Sequence, residues 1–287
     1  CYYINYRDGV KTSEYRDLNE FSTFIRYPIA AEIVKKVRLK GEQTLDTIVS
    51  SRKPFGLATN VKPLKAGDIQ LRFNGGIGPY KRSLISTGIE NIDRYKIIIS
   101  YLTAEHAGQP DKNGQYRILS TMEKQPPKVV CSETYLVAGA FDTEAEADNY
   151  MRYLKTRFVR FLISILAMTQ HISKGMFGFV PVQDFSRAWT DEELFSKYKL
   201  TSDEVAFIQI IIKEIFIMRE TILGNHLQKI PSIAVGCMRL SEKSKEEMNH
   251  FIHSALEQGA YFFDHADIYG GGMSETVFGE AFAGDPS

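Results

Sequence analysis

Near residue 218 the chain changes its grammar, and the change limits what the two parts can fold into. Beyond that point SIAVGCMRL (232–240) reads as a buried strand and SKEEMNHFIHSALEQG (244–259) as an amphipathic helix ending at Gly259. YFFDHADIYG (261–270) reads as a second buried strand, and SETVFGEAF (274–282) opens another helix. Near-continuous apolar strands alternating with helices indicate βαβ units and a parallel sheet. Two strands can neither close a barrel nor bury a domain core, so residues 218–287 are expected to be an incomplete βαβα piece of a larger fold.

Before that point the pattern differs. CYYINYRDG alternates aromatic and polar residues and ends in Asp8-Gly9, a hairpin signal. Ile29, Ile33, Val34 and Val37 fall at helical spacing, with Lys35, Lys36, Arg38 and Lys40 opposite and Gly41 as a stop. Residues 44–140 break into short β-like runs, among them IQLRF, YKIIIS and VVCSETYLVAGAF, separated by Gly, Pro and Asn. Helices return at Thr143, a candidate N-cap followed by acidic residues, and run through TRFVRFLISILAM. TDEELFSKYKL and TSDEVAFIQIIIKEIF each open with Thr or Ser and acids in the first turn, a doubled helix start. The expected class for residues 1–216 is α+β, a mixed sheet plus C-terminal helices.

The overall charge hides this division. The 35 Lys+Arg and 35 Asp+Glu cancel, which taken whole argues against a nucleic-acid partner. Residues 1–217 hold 30 basic and 25 acidic side chains, whereas residues 218–287 hold 5 and 10. The first part is therefore mildly basic and the second acidic. No apolar run approaches the ~20 residues that span a bilayer, no secretory signal opens the chain, and no membrane partner is expected. Three separated cysteines without a CxxC suggest neither disulfide framework nor zinc site, and a reducing cytoplasm is the expected setting. A start at Cys1 rather than Met is read as a sign of a fragment.

Six collinear blocks give the first part a resemblance: VSSRKPFGLATN (49–60), GGIGPYKRS (75–83), IDRYKIIIS (92–100), SETYLVAGAF (132–141), YLKTRFVRFLISILAMTQ (153–170) and FVPVQDFSRAWTDEELFSKYKLTSDEVAFI (179–208). Together they resemble the C-terminal target-recognition region of bacterial adenine-specific DNA methyltransferases of the restriction–modification type. The resemblance implies double-stranded DNA as partner, S-adenosylmethionine as cofactor of the full enzyme, and a catalytic domain upstream that this chain lacks. An adenine methyltransferase needs a Gly-rich cofactor loop and an (Asn/Asp)-Pro-Pro-(Tyr/Phe) motif. Gln125-Pro126-Pro127-Lys128 replaces both functional positions, so this piece is not expected to bind the cofactor or methylate alone.

The candidate DNA contacts fall into two groups. Arg52, Lys53, Arg72, Lys81 and Arg82 lie in Gly/Pro-rich connections, from which they could reach phosphates. Arg157 and Arg160 lie in an otherwise apolar helix with Lys155 nearby, and these three could contact phosphates, while Gln170 or Gln183 could read a base edge. The alternative is a solvated charged face, or Arg paired with a carboxylate such as Asp184 or Glu133. Phe177, Phe179, Phe185 and Trp189 could stack on an extruded base or form a packing hub, the reading preferred here. GGIG lacks phosphate-loop spacing and reads as a turn permitting close backbone approach.

The second part has its own resemblance. Met218, IPSIAVGCMRL, ALEQGAYFFDHADIYGGG and SETVFGEAF look like the N-terminus of an aldo-keto reductase, a family with a (β/α)₈ barrel that binds NADPH and reduces carbonyls. Asp264 and Tyr269 match the first two members of its catalytic set, and the Lys and His from later strands are missing. A Lys⁺ held by the Asp lowers the Tyr pKa so that the Tyr can protonate the carbonyl oxygen. His265 does not replace the missing His. NADPH binding and hydride transfer are therefore not expected of this segment alone.

Overall fold

The helical spacing around Ile33 winds into α1 (Pro28–Arg38), which buries Ala30, Ala31, Ile33, Val34 and Val37. Pro28 suits the first turn because an N–H there has no helical partner. Lys35, Lys36 and Arg38 occupy the last turn, where the helix dipole favours cations. The computed structural model describes residues 2–7, 10–17, 19–21, 23–101, 115–116, 118–119, 121–167, 171–213, 220–223, 228–257 and 259–283. The chain divides into two compact units, residues 1–214 and 215–287.

In the first unit β1 (Tyr2–Arg7) and β2 (Val10–Tyr15) pair antiparallel, Arg7 opposite Val10, while Asp8 and Gly9 lie outside the described residues. Two three-stranded sheets follow. β3 (Ile69–Phe73) lies between β4 (Gly76–Tyr80), its antiparallel hairpin partner, and β7 (Val129–Cys131), to which it runs parallel. β5 (Tyr95–Ser100) lies between β6 (Met122–Gln125) and β8 (Tyr135–Phe141), antiparallel to both. The apolar runs of β5 and β8 are continuous because both faces of their sheet are covered. Ile97, Ile99, Leu136 and Ala138 join the core under the helices, while Ile98, Val137 and Tyr135 join a second core with Ile69, Leu71 and Val130.

The Gly-rich segment at 75–78 forms the β3–β4 hairpin turn and the start of β4. The close approach expected there is to the chain itself: a Cβ on Gly78 would stand 2.6 Å from the Pro63 ring. Beside it the Leu64 amide donates to the Pro79 carbonyl, lining the outer side of β4.

Four helices complete the first unit: α2 (Glu144–Lys155), α3 (Arg157–Leu166), α4 (Asp191–Lys197) and α5 (Ser202–Ile211). Thr143, Thr190 and Thr201 form capping boxes with Glu146, Glu193 and Glu204. The expected continuous helix after Thr143 breaks at Thr156, whose backbone is extended at φ −61°, ψ 148°. Thr156 ends α2 and caps α3, accepting a hydrogen bond from the Val159 amide.

The second unit contains the hairpin β9 (Glu220–Leu223)/β10 (Gln228–Pro231), then β11 (Val235–Gly236), α6 (Lys245–Glu257), β12 (Phe263–Asp264) and α7 (Met273–Ala283). β11 and β12 are parallel but only two residues long, and neither strand is buried, unlike the two long buried strands expected. A parallel strand is buried only when both sheet faces are covered. The small core here is Cys237, Leu240, Met248, Ile252 and Ala281.

One buried cation fastens β5 to its surroundings. The Lys96 side chain is 0% exposed, and its ammonium donates to the carbonyls of Asn91 (3.1 Å), Ile92 (3.1 Å), Arg94 (2.5 Å) and Pro126 (3.3 Å). Burial pushes its pKa down to about 8. Below that pH the lysine is charged in both the folded and unfolded states, and the desolvation penalty is carried in full. Between about 8 and the unfolded value the unfolded chain binds the extra proton, so this group's contribution to stability rises with pH. Urea unfolding of the chain against Lys96→Met should show the difference in stability between the two proteins changing across that window. Parallel pH profiles would refute it.

Candidate functional sites

The expected DNA-contact residues separate by burial and by partner. Arg160, in α3, is 1% exposed. Its Nε donates to the carbonyls of Lys155 (3.0 Å) and Thr156 (3.3 Å), and its Nη1 to Lys213 (2.6 Å). The phosphate role expected of Arg160 is therefore corrected: its guanidinium ties the Thr156 corner to the end of the helical region. Arg157 and Lys155 are half-buried on either side of that corner. The Asp191 carboxylate accepts from the Arg157 amide (2.9 Å) and the Phe158 amide (2.8 Å), closing the exposed amides that begin α3. Burial raises the Asp191 pKa above the ordinary carboxylate range, against those two hydrogen bonds and the Arg160 charge.

Gln183 is corrected as well. It is 6% exposed; its Nε2 donates to the Tyr198 hydroxyl (2.8 Å), and its Oε1 accepts from Lys197. Both ends of the amide are engaged inside the protein, so it presents no edge to a base. Gln170 lies outside the described residues. Phe177, Phe179 and Phe185 are buried. Phe185 packs edge-on against Phe141 and Tyr150 at 5.8 and 4.8 Å, the geometry of a hub. Trp189 is half-buried and donates its indole N–H to Asp184. The Arg187 guanidinium covers its ring at 3.7 Å, beside an open depression that Glu192, Ser196 and Lys197 also line.

The other expected contacts are nearer the surface, although Arg72 lies within strand β3 and not in the connection expected for it. Arg72 is held by Glu123 through two hydrogen bonds (2.8 and 2.6 Å) and lies over the Tyr135 ring, bracing the β3–β6 region. Arg82 grips Asp93 with both terminal nitrogens at the surface, and its backbone amide donates to Asp68. Lys81 beside it is exposed. Arg52 and Lys53 have side chains 56% and 50% exposed, and both lie near one carboxylate oxygen of Glu133, at 3.3 and 3.6 Å. Glu133 is itself buried, its other oxygen accepting from the Thr59 amide and hydroxyl. Burial pushes the Glu133 pKa up, but the Thr59 hydrogen bonds and the two cations outweigh it and hold the carboxyl below its ordinary value.

Two residues absent from the sequence reading join this edge. The Arg52 guanidinium lies 4.9 Å from the Tyr101 ring centroid, and Tyr101 lies 5.0 Å from the ring of His171. No spacing in the sequence links positions 52, 101 and 171. They meet because Tyr101 follows β5 and bonds both to the Thr134 carbonyl and to the Ile172 amide.

In the second unit Asp264 and Tyr269 do meet. The Tyr269 hydroxyl donates to Asp264 Oδ2 at 3.4 Å, with Asp264 exposed and Tyr269 half-buried. Both nitrogens of neighbouring His265 are buried without a hydrogen bond, and its ring packs edge-on against Phe278.

Residues 232–287 match the aldo/keto reductase family. The match covers a small C-terminal share of the chain and includes Asp264 and Tyr269. No curated protein matches the chain. Among the described residues no group of His, Cys, Asp and Glu could hold a metal ion, and no helix is long and apolar enough to cross a membrane.

The Asp191 cap is open to a direct test. Asp191→Ala leaves two amides at the start of α3 without their acceptor and should cost about 2 kcal/mol. Chemical unfolding that shows no loss of stability would remove Asp191 from this role.

Proposed function

We propose that the chain joins two unrelated functional pieces. The first unit is a duplex-DNA recognition region of a site-specific adenine methyltransferase, and the second is the opening segment of an aldo/keto reductase. For the second unit, the observation that carries the reading is the Asp264–Tyr269 hydrogen bond inside the segment that matches the family. A tyrosine hydroxyl beside a carboxylate can deliver a proton to a carbonyl oxygen once a cation lowers its pKa. Among the described residues no cation forms an ion pair with Asp264, so the condition for that proton transfer is not met among them. These residues do not fit NADPH as a complete site, and no hydride step is assigned to them.

For the first unit the support is the six-block resemblance together with the surface position of Lys81, Arg52 and Lys53. Exposed cations that meet phosphates supply the salt-sensitive, sequence-independent part of DNA binding. The Gln125-Pro126-Pro127-Lys128 segment does not fit a methyl-transfer role. Gln125 is buried with its amide on Glu123, and the Pro126 carbonyl accepts from Lys96, so the segment links β6 to β7. The methylation chemistry, with its S-adenosylmethionine, is assigned to a separate catalytic domain that acts as this unit's partner. In this reading the setting is cytoplasmic.

Two measurements on the full chain test these readings. Titrating NADPH and following its own emission should give no saturable change, and a saturable change would show that the second unit is not inert. Anisotropy of a labelled DNA duplex should rise with protein at low salt and fall steeply as salt is added. A chain that leaves the duplex free at the lowest salt would overturn the recognition reading.

A further inference from the structure

In the sequence Arg52 and Lys53 are adjacent cations of one Gly/Pro-rich connection. The structure gathers them into an assembled edge of mixed origin. Arg52 lies over Tyr101, Tyr101 lies against His171, and Lys53 stands beside Arg52 on the shared carboxylate. Lys53 has a left-handed backbone, φ +61°, a conformation uncommon for a residue with a side chain. The Arg52–Glu133 and Lys53–Glu133 approaches are long for ion pairs, and Glu133 Oε2 makes no hydrogen bond despite being buried. The cations are thus turned toward Glu133 without being closed onto it. This contrasts with Arg72 and Arg82, each clamped by two short bonds to a carboxylate.

We propose that Arg52, Lys53, Tyr101 and His171 form one phosphodiester-contacting lip, with Glu133 as an internal anion that a DNA phosphate displaces. This rests on the DNA-recognition reading and names the site that would perform it. The chemistry is that of a planar guanidinium held on an aromatic face beside an exposed ammonium. Stacking orients the Arg52 guanidinium on a largely exposed side chain, and Lys53 adds a compact point charge beside it. Glu133 is pinned on its far side by Thr59, so it cannot follow the cations outward. A phosphate arriving at the surface offers both cations hydrogen-bonding oxygens that Glu133 does not. Tyr101 and His171 are positioning residues here; they set where Arg52 stands.

The test uses the full chain and a labelled duplex of arbitrary sequence, with affinity measured over a series of salt concentrations. Removing both cations, Arg52→Ala with Lys53→Ala, should lower the slope of log affinity against log salt by about 2. Glu133→Gln should do the reverse, tightening binding several-fold at low salt, because it removes an anion that competes with phosphate. Tyr101→Leu should weaken binding while leaving the Lys53 contribution in place. Arg52 and Lys53 are exposed but also face the buried Glu133 carboxylate, so the melting temperature of the double variant is measured alongside and the salt slopes are compared at a temperature where both chains are folded.

The failures are distinguishable. If the unaltered chain does not bind duplex, the recognition reading falls and the lip with it. If it binds and the Arg52→Ala/Lys53→Ala chain binds with the same salt slope, the lip alone is wrong and DNA is met elsewhere. If Glu133→Gln weakens binding at an unchanged melting temperature, Glu133 is not a competitor for phosphate and that part of the proposal is overturned.

Discussion

Strand β5 serves two cores at once, and the first unit depends on that double duty. Its side chains alternate between the helical core and the small core behind β3, so neither can be completed without it. A strand in that position must be apolar on both faces. It must also account for Lys96, whose ammonium would be intolerable there without acceptors. Four backbone carbonyls supply them, and they come from the turn before β5 and from the segment after β6. The same strand leads directly into Tyr101, so the core sets the height of the surface edge where Arg52 lies.

A second constraint acts at Thr156. An unbroken helix from Thr143 would carry the apolar stretch after Arg157 away from the sheet. The extended backbone of Thr156 lets α2 and α3 each lay an apolar face on the same core. The turn exposes amides and carbonyls that need partners. Asp191 accepts from the amides, and Arg160 donates to the carbonyls. The burial of an arginine in an apolar helix is explained by the corner it closes.

Much of the local structure was legible because it is written in short-range chemistry. Threonine followed three residues later by glutamate starts α2, α4 and α5, and the YKIIIS and YLVAGAF runs are central strands. The Asp264–Tyr269 spacing likewise survives as a contact. What was not legible depends on chain segments far apart. Nothing local tells that Arg160 faces inward, because its acceptors include the carbonyl of Lys213, far along the chain. Gln183 has the composition of a base reader, but Lys197 and Tyr198 from α4 and its end turn it to an internal task. The strands of the second unit were expected long because their sequences are apolar; strand length also needs neighbours to pair with, and β11 and β12 pair only with each other among the described residues.

The strap over β4 has a consequence for how copies of this chain meet. An outer strand normally offers a free row of amides and carbonyls to any passing extended peptide. Here Leu64 takes the Pro79 carbonyl, Pro79 has no N–H to give, and Pro63 fills the space beside Gly78. Strand addition at that margin would first have to peel residues 63–64 away. The β4 margin of the β4-β3-β7 sheet is thereby hindered from accepting an added strand.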